Sequence, residues 1–145
     1  MPSKQSVIKK LQKKAGNFWK SYAKKRDKVC FLCGSDQVLQ VHHIFSRTIK
    51  RLFLDTENGI CLCRRCHMAV TWQDSAKETL RRKLIAKDKA MYDRLYEQSL
   101  DKMPFLEIKS IAWLENQIRI LEELNGETTQ GVIRKKGERY ANFKA

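Results

Sequence analysis

Between residues 6 and 26 apolar side chains return at about helical spacing, as Val7, Ile8, Leu11, Ala15, Phe18, Trp19 and Tyr22, with lysines between them. That period predicts a basic amphipathic helix. Gly16 is its weak point, because glycine costs about 1 kcal/mol in a helix interior. The period then shortens. Val38 to Ile44 reads as a strand, Phe45 to Glu57 as a loop rich in Arg and Lys, Asn58 to Leu62 as a second strand, and Arg64 to about Trp72 as a helix. From Asp74 the helical period resumes. Asp74 or Ser75 is placed to cap a helix to about Ala86, with Glu78 completing a capping box with Ser75. Met91, Tyr92, Leu95 and Tyr96 mark another helix. Phe105, Ile108, Ile111, Ala112, Leu114, Ile118, Leu121 and Leu124 mark a third, preceded by Pro104 and ending at Asn125-Gly126.

The pattern predicts an α+β, mostly helical fold organised in four parts. Residues 1–29 form the basic helix and 30–74 the strand-loop-strand-helix unit. Residues 75–126 form a helical region suited to dimerisation or DNA binding. Residues 127–145, with Arg134, Lys135, Lys136 and Arg139, form a mobile basic tail.

Charge narrows the class of partner. The 145 residues include 30 Lys or Arg against 16 Asp or Glu, a formal +14, and the first 29 residues hold ten of the cations and one Asp. A surface this cationic attracts polyanions, of which nucleic acid is the commonest. A membrane surface is the other polyanion, but no apolar run approaches the roughly 20 residues needed to cross a bilayer. Lys9 and Lys10 interrupt the apolar run that a signal peptide would need. The expected location is therefore cytoplasmic, where thiols stay reduced, and the five cysteines read as metal ligands rather than disulfides.

All the cysteines and histidines fall within residues 30–74. Cys30/Cys33 and Cys63/Cys66 are two Cys-x-x-Cys pairs, a spacing that lets each pair place two thiolates on one tetrahedral Zn²⁺. Four thiolates leave no open coordination position, so such a zinc is structural. Cys61 reads as a small buried hydrophobe, although its position two residues before Cys63 lets it compete as a ligand.

His43, fourteen residues, Asn58, eight residues and His67 resemble the signature of the HNH endonucleases, the His-Me finger or ββα-metal family. The zinc-knuckle variant of that family also brackets its motif with two Cys-x-x-Cys pairs and puts the last motif residue directly after the final cysteine, as His67 follows Cys66. The resemblance implies a ββα-metal finger that hydrolyses DNA phosphodiester bonds to 5′-phosphate and 3′-hydroxyl ends. On that reading His43 is the general base, and His42 and His67 bind the catalytic metal. Asn58 holds the loop that orients His43. Some members add a ligand four residues after the last histidine, where this chain has Thr71. Sparse ligation of that kind favours Mg²⁺ or Mn²⁺, although two imidazoles also tolerate Ni²⁺ or Zn²⁺.

Each residue has a plainer reading beside this one. His42 or His67 could replace a cysteine on the zinc, and His43 could be a strand residue satisfied by a backbone carbonyl. Adjacent strand residues face opposite ways, so His42 and His43 share one site only if the strand end twists or the site wraps around it. Arg47, Lys50, Arg51, Arg64 and Arg65 are candidates for phosphate contacts or, individually, solvated surface charges. Asp55 assists the metal or, by default, caps the loop. The helical region resembles phage recombination nucleases of the lambdoid NinG kind. That resemblance implies branched DNA, such as a Holliday junction, as substrate and a homodimer through the C-terminal helices. The rival class is a non-catalytic zinc-knuckle module that binds nucleic acid, and a ribonuclease shares the same metal chemistry.

Overall fold

The structure, a computed structural model, describes residues 1–101 and 110–130. Pro104, Phe105, Ile108 and the basic cluster Arg134 to Arg139 lie outside the described residues. The fold is α+β and mostly helical, as the sequence pattern predicts. Its elements are α1 (Lys4–Asp27), β1 (Leu39–His43), a 3-10 turn (Thr56–Asn58), β2 (Gly59–Cys63), α2 (Arg64–Trp72), α3 (Asp74–Lys87), α4 (Lys89–Leu100) and α5 (Ile111–Gln130).

Helix α1 starts where Ser3 accepts a hydrogen bond from the Ser6 N–H at 3.2 Å. It stops at Lys28, whose left-handed backbone (φ 64°) returns its N–H to the Lys24 carbonyl. Its apolar stripe meets that of α5, so Ala15, Trp19 and Tyr22 share one core with Leu54, Ile118, Leu121 and Leu124. A second core joins Ile60 and Leu62 of β2 to Cys30, Val70, Leu80 and Leu84, contributed by the knuckle, α2 and α3. The β1–β2 ribbon lies between the two cores, paired antiparallel with His43 opposite Gly59 and His42 opposite Ile60.

Four local expectations change. Asn58 closes the 3-10 turn, and the second strand begins one residue later, at Gly59. Gln73, with no side-chain cap, precedes α3 and returns its N–H to the Ala69 carbonyl at 2.8 Å. That tight turn out of α2 puts Ser75 inside the helix, so no capping box forms, and Glu78 pairs with Arg81 and Arg82. Helix α5 passes through Asn125-Gly126 to Gln130, beyond the expected boundary at 126. The Asn125 amide is engaged in tying α5 to α1, donating to the Phe18 and Leu121 carbonyls, both at 2.9 Å. Finally, the apolar face of α5 expected to support a homodimer is covered within the chain by α1, with Leu114, Ile118, Leu121 and Leu124 all buried.

Candidate active site and metal centre

The knuckle begins at Cys30, whose carbonyl accepts the Gly34 N–H at 2.9 Å while its own N–H donates to the Ser35 carbonyl at 2.7 Å. Gly34 closes this turn at φ +76°, a conformation that glycine adopts at no steric cost. The Phe31 N–H donates to the Cys61 carbonyl at 2.9 Å and so fastens the turn to β2. Cys63 ends β2 as the N-cap of α2, and Cys66 sits in the first turn of that helix. The Sγ atoms of Cys30, Cys33, Cys63 and Cys66 thereby lie within 4.8 Å of one another, with Cys33 and Cys63 3.6 Å apart. A tetrahedral zinc with Zn–S near 2.3 Å needs sulfurs about 3.8 Å apart, so the cluster fits a structural Zn²⁺.

The thiols titrate far apart. Burial opposes ionisation of Cys30, but backbone hydrogen bonds at Cys63, Cys33 and Leu32 outweigh it and lower the thiol to about 7. Burial and the neighbouring thiols push Cys66 up to about 12. A dication at the centre favours the thiolate at every position, Cys66 included. Cys61 stands apart from the cluster. It is fully buried on the α1 side, its thiol donates to the Ala23 carbonyl at 3.5 Å, and burial and Asp27 raise it to about 11.

Strand alternation places the histidines. His42 faces α2, where its ring meets that of His67 edge to face with centroids 5.2 Å apart. His67 Nδ1 donates to the Gln40 amide oxygen at 2.6 Å, which fixes the tautomer and leaves its Nε2 lone pair free. Gln40 lies on the same face of β1 as His42, two residues earlier. Burial, then the charges of His67 and His43, lower His42 to about 4, and burial lowers His67 as well, so both imidazoles are neutral and able to bind a metal at neutral pH. The His42 ring has no hydrogen-bond partner among the described residues.

His43 faces the other way. Its Nε2 donates to the Phe53 carbonyl at 3.0 Å, which leaves Nδ1 as the basic nitrogen. The backbone-carbonyl partner of the plainer reading is therefore present, but it occupies only one of the two ring nitrogens. Its ring stacks on Trp19, which is 1% exposed and whose indole N–H donates to the Asp55 carbonyl at 2.7 Å. A Cβ at Gly59 would come within 2.5 Å of the Trp19 ring, so glycine is required opposite His43 for the indole to fit. Burial lowers the pKa of His43, the Phe53 carbonyl opposes this, and Arg47, Lys20 and Lys50 add to the lowering. His42 and His43 both line one open cleft of about 400 Å³ between β1 and helices α2 to α4.

Asn58 is fully buried and ties down both ends of the loop. Its side-chain oxygen accepts the Phe45 N–H at 2.8 Å, and its amide donates to the Phe45 and Leu52 carbonyls, both at 3.0 Å. The Asp55 carboxylate is engaged by the backbone and by α4. It caps the 3-10 turn and receives Arg94 of α4 at 2.9 and 3.1 Å, while Arg94 also reaches Glu57 at 2.9 Å. The Thr71 hydroxyl is directed at its own helix, donating to the His67 carbonyl at 2.8 Å.

Of the candidate phosphate contacts, Arg47 and Lys50 line a second cleft beside His43. Arg51 has its Nε buried and without a hydrogen-bond partner among the described residues. Arg64 and Arg65 are exposed on the first turn of α2, next to the cysteine cluster. Sequence reasoning missed Gln40 and Trp19. Strand period alone points to Gln40, two residues from His42, whereas no sequence signal links Trp19 to His43.

No curated protein and no solved structure matches the chain. Residues 30–72 match the family model described as HNH endonuclease, and this segment holds both cysteine pairs, all three histidines and Asn58. The four-cysteine centre and the histidine pair thus both lie in the segment that is similar to the HNH endonucleases.

Proposed function

We propose that the chain is a metal-dependent endonuclease that hydrolyses DNA phosphodiester bonds. The observation that carries this reading is the division of the three imidazoles about one strand end. His42 and His67 converge on one side, and on the other His43 keeps an Nδ1 lone pair that no described residue shares. His43 takes the proton from the attacking water at Nδ1. The Phe53 carbonyl, already bonded to Nε2, then stabilises the imidazolium.

His42 and His67 would hold one divalent ion, Mg²⁺ or Mn²⁺, with waters completing its shell. When bound, the ion supplies charge neutralisation at the phosphate and stabilisation of the leaving 3′ oxygen. Gln40 keeps His67 in the metal-binding tautomer. Asn58 holds the loop whose Phe53 carbonyl orients His43. The products carry 5′-phosphate and 3′-hydroxyl ends.

A plasmid-nicking assay with Mg²⁺ or Mn²⁺ tests the proposal, comparing the native chain with His43→Ala on duplex, single-stranded and branched DNA, including a Holliday junction, and on RNA. The native chain cuts DNA, and the variant binds with equal affinity while cutting at least about a hundredfold more slowly, the usual minimum contribution of a general base. Binding without cutting by both proteins would overturn the proposal in favour of a non-catalytic zinc-knuckle module.

A further inference from the structure

The cleft on the α1 side of His43 has a lining that the fold does not require. One wall is a stripe of α1 containing Lys13, Gly16, Asn17 and Lys20, at the spacing of a single helix face. The other wall is the loop after β1, with Arg47 and Lys50, and His43 opens into the same space of about 520 Å³. No acidic residue among the described residues lines it. Lys13, Lys20 and Arg47 are exposed and make no ion pair or hydrogen bond among the described residues, and Lys50 lies over the Phe53 ring at 5.1 Å. Like charges gathered without a counter-charge repel, and a polyanion is their natural complement.

Gly16 adds an independent observation. It sits in the interior of a 24-residue helix, where glycine costs about 1 kcal/mol. A Cβ there would meet nothing within 4 Å among the described residues, so their packing does not demand glycine. What the missing side chain does leave is a clear wall. From Lys13 to Lys20 that wall runs about 10 Å, the axial rise of roughly three nucleotides of one B-form strand.

We infer that the cleft between α1 and the loop 46–51 is the channel for one strand of the DNA substrate, with its phosphates held by Lys13, Lys20, Arg47 and Lys50. The identity of the ligand rests on the nuclease reading above. Helix α1, outside the HNH segment, is on this view half of the substrate-binding surface.

The test is a fluorescence-anisotropy titration of labelled duplex DNA over a salt series without added divalent metal, so that no cutting is required. Lys13→Gln/Lys20→Gln lowers the salt slope by about 2 and weakens binding about tenfold or more, as two lost phosphate contacts should. Lys28→Gln/Lys83→Gln removes the same charge from other exposed positions and leaves the slope nearly unchanged. Gly16→Ala keeps binding and raises the melting temperature, whereas Gly16→Leu melts no lower than the native chain yet binds more weakly because its side chain fills the channel. Equal losses from the two lysine pairs, or native binding by both Lys13→Gln/Lys20→Gln and Gly16→Leu, would overturn the channel. Nicking by the native chain is read separately. Cutting with a failed slope test defeats the channel alone, and channel binding without cutting defeats the nuclease reading alone.

Discussion

The indole of Trp19 lies flat against the imidazole of His43, with ring centroids 4.1 Å apart and planes 14° from parallel. The stack and the Phe53 carbonyl together fix the plane of the imidazole and engage its Nε2, leaving Nδ1 as the basic nitrogen. Trp19→Leu should therefore reduce nicking at least about tenfold through kcat rather than KM, and should destabilise the fold by about 3 kcal/mol because a buried indole is lost. Trp19→Phe, which keeps a ring against His43 but loses the bond to the Asp55 carbonyl, should recover much of the rate. Steady-state kinetics beside urea denaturation checks this. Equal rates for the Leu and Phe variants would show that the ring does not position His43.

Gln40 makes a prediction about the metal. Its amide oxygen accepts from His67 Nδ1, so Gln40→Leu frees the imidazole to rotate and change tautomer. Mn²⁺ affinity, followed by electron paramagnetic resonance of the free ion, should fall about 10- to 100-fold, with the zinc content unaltered. Unchanged Mn²⁺ affinity would remove Gln40 from the site.

The cysteines separate by role. Cys33→Ala or Cys66→Ala should abolish zinc binding and melt the finger, as should a strong chelator added to the native chain. Cys61→Ala should retain one zinc and cost only about 1 kcal/mol, because its thiol is buried on the α1 side away from the cluster. Metal analysis and circular dichroism distinguish these outcomes. Loss of zinc in Cys61→Ala is the result that contradicts the four-thiolate centre.

Asn58→Ala takes the side-chain partner from the Phe45 N–H and carbonyl, while the Leu52 carbonyl keeps the Asp55 N–H. The expected cost is about 2–3 kcal/mol in denaturant titration, with cutting reduced because the loop that orients His43 loosens. A variant as stable and as active as the native chain would show that the loop is held by other contacts.

The sequence makes some parts of this site legible and hides others. Cys30, Cys33, Cys63, Cys66, His43, Asn58 and His67 can be read in order because metal and loop geometry fix their separations along a short stretch of chain. The helix from Arg64 to Trp72 is legible for the same reason, since the second cysteine pair must turn into it. Trp19 and Arg94 are different. They reach Asp55 across 36 and 39 residues of separation, and a lone tryptophan or arginine on an amphipathic helix looks the same whether it serves packing, solvent or a site. Asn125-Gly126 misleads because it resembles a helix stop, while the Asn125 amide is engaged with Phe18 on the neighbouring helix.

The Arg94 bridge has a practical consequence. Asp55 is wholly buried, and its carboxylate is balanced by a guanidinium from α4, beyond the HNH segment. Trp19 approaches the same loop from before that segment. Residues 30–72 are therefore not a portable cassette: grafted into another scaffold, they would carry an uncompensated buried anion and an unsupported imidazole. A working transplant needs a tryptophan from one side and an arginine from the other, so the smallest transferable unit is defined by these two distant residues rather than by the motif.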